Sequence, residues 1–118
     1  MAGLTTHILD TSGGVPAAGV AVTLDRIGPD GARTRLAERI TNRDGRTAEP
    51  LLTPDETIPG TYEIGFAIGA YFRSRGVSLP DPAFLDIVPV RFAISDVSRH
   101  YHVPLLASPF GYTTYRGS

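Results

Sequence analysis

The sequence predicts an all-β fold: a two-sheet β-sandwich of seven to eight short strands with one short helix. Three observations predict it. Thirteen glycines and ten prolines cut the chain into short pieces. The pieces alternate apolar and polar residues with the period of two that a half-buried strand requires. Turn-forming clusters separate them. At 118 residues the chain reads as one domain over 1–118, a size that hides roughly two-thirds of its unfolded surface without staples.

The elements follow in order. In Leu4-Thr5-Thr6-His7-Ile8-Leu9, Leu4 and Ile8 suit a core face, which turns His7 outward with Thr5 and Leu9. Val20, Val22 and Leu24 alternate with Ala21, Thr23 and Asp25 in the next strand. Gly28-Pro29-Asp30-Gly31 is a tight turn. Residues 35–40 alternate poorly, because Glu38 sits between Leu36 and Ile40, and are read as a strand on weaker grounds. Asn42-Arg43-Asp44-Gly45 is a second tight turn, with Gly45 suited to positive φ. Tyr62, Ile64, Phe66 and Ile68 mark another strand. Residues 69–76 form the short helix, closed by Gly76, and residues 77–86, with two prolines, a loop. Val88, Val90, Phe92 and Ile94 mark a strand that Pro89 confines to an edge or a bulge.

Composition excludes several functions. The net charge is −1, without a basic patch or acidic tail, which argues against nucleic acid and against a membrane surface. With no cysteine there is no disulfide, zinc–thiolate site or thiol nucleophile. All eleven basic residues are arginine, so no lysine Schiff base is available. Met1 leads into Leu4 with no basic start or apolar h-region, and no apolar run reaches membrane-spanning length; the chain is expected to be cytoplasmic.

The chemistry concentrates at residues 99–107. On a strand, Tyr101, Val103 and Leu105 face the core. His100, His102, Pro104 and Leu106 face the other way, a half-apolar, titratable surface that suits an interface or a cleft. His7 also faces outward, and Arg46 follows the Asp44-Gly45 turn. Singly, each has an ordinary explanation: a solvated histidine, a surface arginine, a docked tail. A metal on His100 and His102 would need a third ligand that no motif supplies, so no metal is expected. The residues alone reach an oligomeric β-sandwich with a histidine-bearing face, and not a substrate.

Three blocks carry the resemblance. "LTTHILDTSGGVPAAGVAVTL" (residues 4–24), "TNRDGRT" (41–47) and "HYHVPLLASPFGYTTYRGS" (100–118) resemble, in order and spacing, the signatures of the 5-hydroxyisourate hydrolases, the transthyretin-related enzymes of urate breakdown. "FAIGAYF" (66–72) and "DPAFLDIVPVRF" (81–92) match less closely. The resemblance implies a transthyretin-like sandwich, a homotetramer with sites where dimers meet, and a small-molecule substrate, 5-hydroxyisourate. It implies His7, Arg46, His102 and Ser118 as catalytic residues, with His7, Arg46, His100, Tyr115, Arg116 and Gly117 binding substrate. It implies no cofactor. In that reading His102 or His7 takes a proton from water, a contribution of ~10²–10⁴-fold, and the Arg46 guanidinium holds the oxyanion. Tyr115 shapes the pocket, and Ser118 orients a histidine or the water through its hydroxyl or a terminal carboxylate. The alternative is a transthyretin-like carrier of a small ligand, which has no need of the histidines, Arg46 and the YRGS block together.

Overall fold

The computed structural model describes residues 3–118. Eight strands form two four-stranded sheets. The strands are β1 (Gly3–Asp10), β2 (Val15–Pro16), β3 (Ala21–Ile27), β4 (Arg33–Ile40), β5 (Gly60–Ala67), β6 (Ile87–Ile94), β7 (His100–Ser108) and β8 (Gly111–Thr114). One sheet runs β2-β1-β7-β8 and the other β4-β3-β5-β6. Helix α1 (Ile68–Ser74) follows β5, and a single 3-10 turn covers Pro54–Glu56. Among the described residues no helix is long and apolar enough to cross a membrane.

Alternation builds the core. Leu4, Ile8, Tyr101, Val103 and Leu105 from the first sheet meet Val22, Leu24, Ile64, Phe66, Val88 and Ile94 from the second, all buried. Burying each such side chain stabilises the fold by roughly 1.5–3 kcal/mol. Helix α1 packs Ile68, Tyr71 and Phe72 inward. It closes with Gly76 at φ +85. The amides of Gly76 and Val77 there donate to the carbonyls of Arg73 and Phe72, both at 3.0 Å, which satisfies two free helix-end acceptors.

Two local readings meet a physical test. Pro89 lies on β6, the edge strand of its sheet, a place where proline is tolerated. Strand β4 is present, but its core-facing residue is Ala37, while Leu36 and Ile40 are exposed. A register shift between Leu24 and Asp25 pairs them with Ala37 and Arg35 and leaves Leu36 as the extra residue of a bulge. The outer side of this region is ionic: Arg33 and Arg35 both bridge to Asp25, at 3.3 and 2.5 Å.

Strand β1 positions the site. It runs parallel to β7, with Thr5 opposite His102 and His7 opposite Pro104. Along its other edge three short segments take turns as partner: β2 at Leu9–Asp10, Arg46 at His7, and Leu52 at Leu4.

Candidate active site

Four backbone segments lie side by side on the outer face of the first sheet. Arg46 pairs with His7 on β1, β1 pairs with β7, and Gly117 pairs with His102 on β7. Directly opposed residues share a face, and so do residues two apart on one strand. Arg46, His7, Thr5, His100, His102 and Gly117 therefore stand together, although the chain separates them by up to 112 positions (117 minus 5).

The Arg46 turn is built by its neighbours. Asn42 Oδ1 accepts the amides of Asp44 and Arg46 at 2.9 and 3.2 Å, and the Gly45 amide donates to the Asn42 carbonyl at 2.9 Å. Gly45 sits at φ +76, and its carbonyl accepts the Ile8 amide at 2.8 Å. A Cβ there would overlap the Ile8 carbonyl oxygen, so the turn reaches β1 only as glycine. The exposed guanidinium of Arg46 takes part in none of the ion pairs among the described residues.

The two half-buried histidines are held at different ring atoms. His7 Nε2 lies 2.8 Å from the Asp44 carbonyl oxygen, so it donates there, and the neutral ring keeps its lone pair on Nδ1. His102 Nδ1 lies 2.8 Å from Thr5 Oγ1. The same hydroxyl lies 2.9 Å from Nε2 of the exposed His100. Burial, then the charges of Arg46, His7 and His100, hold the His102 imidazole below its ordinary value, against a hydrogen bond from the ring to the Thr5 backbone that favours the charged form. A neutral ring beside a fixed cation can accept a proton from water while the cation faces developing negative charge. Among the described residues no group of three or more His, Asp or Glu side chains is arranged to hold a metal ion.

The tail divides. The Gly117 amide donates to the His102 carbonyl at 2.7 Å, and Ser118 lines a shallow depression with His100 and Ser98. Arg116 borders the same depression, and its guanidinium stacks 4.0 Å above the Tyr101 ring. Tyr115 and Arg116 line a groove of about 340 Å³ with Val90, Phe92, Tyr101 and Val103, where the open flank joins the two sheets. The structure thus brings His7, Arg46, His100, His102 and Gly117 together, sets Ser118 beside them, places Tyr115 around the flank, and puts Arg116 between the two.

The profile of the HIUase/Transthyretin family matches residues 4–117. The chain belongs to that family. A Ralstonia nicotianae protein named 5-hydroxyisourate hydrolase is 52% identical over 118 residues, covering all of both chains. The structure of Klebsiella pneumoniae 5-hydroxyisourate hydrolase is 36% identical, with a TM-score of 0.79 over 98% of each chain. Sea bream transthyretin in complex with thyroxine is 34% identical, with a TM-score of 0.86 over 97% of this chain and 93% of its own. The fold is therefore transthyretin-like, and backbone likeness does not separate enzyme from carrier within the family. The side chains on the outer face must do so.

For this family member the sequence missed one polar residue of the face. Thr5 was placed outward with His7, but its partners became visible only once the parallel register set it opposite His102.

Proposed function

We propose that this chain hydrolyses 5-hydroxyisourate to 2-oxo-4-hydroxy-4-carboxy-5-ureidoimidazoline. The observation that carries the reading is the juxtaposition of His7, Arg46 and His102 by two adjacent backbone pairings, in a family whose relatives bear that enzyme name. Water attacks a carbonyl of the six-membered ring, and the C–N bond to the neighbouring ring nitrogen breaks. The carbonyl carbon becomes the carboxyl group and the nitrogen ends a ureido group.

His102 is the base. Its ring favours the neutral form, Nδ1 is engaged by Thr5, and Nε2 makes no hydrogen bond among the described residues. Nε2 takes the water proton and returns it to the leaving nitrogen. Arg46 faces the oxyanion; removing such a donor costs on the order of 10²–10³-fold. His7, fixed through Nε2, presents Nδ1 to a substrate N–H. Ser118 and His100 border the site on the tail side. Arg116 acts as an anchor for the tail.

The working form is a cytoplasmic homotetramer of one domain over 1–118, with the sites at the dimer–dimer contact. Two features support assembly. The histidine face is open, and both edge strands of one flank, β6 and β8, expose apolar side chains, Ile87 and Tyr112 among them. Sedimentation equilibrium at four times the chain mass checks it.

The test of function follows the near-UV absorbance of 5-hydroxyisourate made in situ by urate oxidase, with wild type and His102→Ala. Accelerated decay with wild type alone supports hydrolysis through His102. Decay at the spontaneous rate from folded protein moves the reading to a small-ligand carrier, which the likeness to sea bream transthyretin favours.

A further inference from the structure

The mechanism above leaves Thr5 as a tether, yet its geometry allows more. A hydroxyl has one proton and two lone pairs. Thr5 Oγ1 lies 2.8 Å from His102 Nδ1 and 2.9 Å from His100 Nε2. It donates to one ring, so the other ring donates to it. When Thr5 donates to His100, His102 carries its proton on Nδ1 and its lone pair on Nε2, the base form. When Thr5 donates to His102, the proton of His102 sits on Nε2, the acid form.

We propose that Thr5 is a proton relay between His102 and His100, converting His102 from base to acid within each turnover. This deepens the hydrolase reading and rests on it for the direction of proton flow. His102 Nε2 takes a proton from water and becomes an imidazolium. Its Nδ1 proton passes to Thr5 Oγ1 as the Thr5 proton passes to His100 Nε2. His102 is then neutral with its proton on Nε2, the hydroxyl is regenerated, and His100 holds the positive charge. When Nε2 protonates the leaving nitrogen, the two transfers run in reverse. The net change is one proton moved from water to nitrogen, with all three side chains restored.

The relay has a physical reason. Charge on His102 is opposed by its partial burial and by Arg46, His7 and His100 around it. His100 is exposed at the start of β7, where water solvates a cation. The relay moves the charge from the half-buried ring to the solvated one during the lifetime of the tetrahedral intermediate. The register makes the bridge: Thr5 stands opposite His102 in the parallel pair, and His100 is two residues away on the same face.

The experiment combines nitrogen-15 histidine NMR of the substrate-free protein with steady-state kinetics of wild type, Thr5→Val and Thr5→Ser. The relay expects His100 and His102 in wild type to share one tautomer, both protonated on Nδ1 in the base form or both on Nε2 in the acid form, and loss of that match in Thr5→Val. It expects kcat in Thr5→Val to fall on the order of 10–100-fold, the worth of one hydrogen bond to a charged group, with KM little changed. Thr5→Ser should restore both. Protons on both His102 Nδ1 and His100 Nε2 in wild type would overturn the relay without any variant having to fold. Unchanged kcat in Thr5→Val, or no rescue by serine, would overturn it too. Matching tautomers in a wild type that does not turn over 5-hydroxyisourate would instead defeat the hydrolase reading, and the proton flow with it.

Discussion

The imidazole of His102 lies across the backbone of Gly117. The Gly117 amide donates to the His102 carbonyl at 2.7 Å, and a Cβ on Gly117 would stand 2.6 Å from His102 Cδ2. The Gly117 backbone is not in the left-handed region, so this glycine is required by space and not by dihedral freedom. It leaves room for the ring to which the proposed mechanism gives the role of base.

Gly117→Ala should therefore displace the His102 ring while leaving the sandwich intact. A misplacement near 1 Å costs on the order of 10²-fold in rate. We expect kcat to fall by about that factor, with a thermal midpoint close to wild type because the sandwich core is untouched. Kinetics beside a melting curve check it; an unaffected kcat would show that the ring tolerates the methyl group.

The acid limb of kcat/KM should have its midpoint below the ordinary imidazole value of 6.5, because burial first, and then Arg46, disfavour charge on His102. Activity then rises with pH through that midpoint to a plateau at neutrality. Arg46→Gln removes the second cause, so the midpoint should move up as the plateau drops on the order of 10²–10³-fold. A pH profile of both proteins checks the pair of effects, and a midpoint that stays still would remove Arg46 from the electrostatics of His102. The same depression bears on stability: His102 contributes above its unfolded value, and the contribution is lost as pH falls through its lower folded value.

What the sequence disclosed tracks what is local. Alternation located β1, β3, β5, β6 and β7, and the Gly45 turn is where its glycine placed it. Strand β4 was harder because a bulge reverses the alternation, so the apolar Leu36 and Ile40 point outward. His7, Arg46 and His102 were legible through family motifs, since no local pattern ties residues 7, 46 and 102 together. Thr5 bonds a histidine 97 positions away, and only the parallel pairing of β1 with β7 creates that contact. Arg116 was assigned to the substrate by the resemblance and by no local pattern. Regular pairing ceases after Thr114, and the guanidinium stacks on Tyr101, a contact that no sequence spacing announces.

Arg116 is expected to act on the tail and not on substrate. Its stacking on Tyr101 pins the residue before Gly117. Arg116→Ala should lower kcat by about tenfold with KM nearly unchanged, the pattern of a lost transition-state geometry. Faster hydrogen exchange at the Gly117 amide should accompany it. Arg116→Lys should recover little, because an ammonium lacks the planar face that stacks. A raised KM with kcat preserved would return Arg116 to the substrate.

Tyr71 and Asp10 offer a stability prediction independent of the site. The Tyr71 hydroxyl donates to Asp10 Oδ2 at 2.9 Å, joining α1 to the end of β1. Burial, followed by the bond to Asp10 and its charge, pushes the Tyr71 phenol up to about 12. Burial also penalises the Asp10 carboxylate, but the Gly13 amide and the Ser12 and Tyr71 hydroxyls outweigh it and hold the group below its ordinary 3.8. Tyr71→Phe keeps the packed ring and strips one donor from a buried carboxylate, which costs about 1–3 kcal/mol. The loss should be largest near neutrality and shrink as pH falls through the folded value of Asp10, where the carboxylate takes a proton. Because the pair lies at the far end of β1 from Thr5, kcat should hold. Denaturant melts of both proteins across the acid range check this, and a penalty independent of pH would mean that the hydroxyl supports packing and not the charge on Asp10.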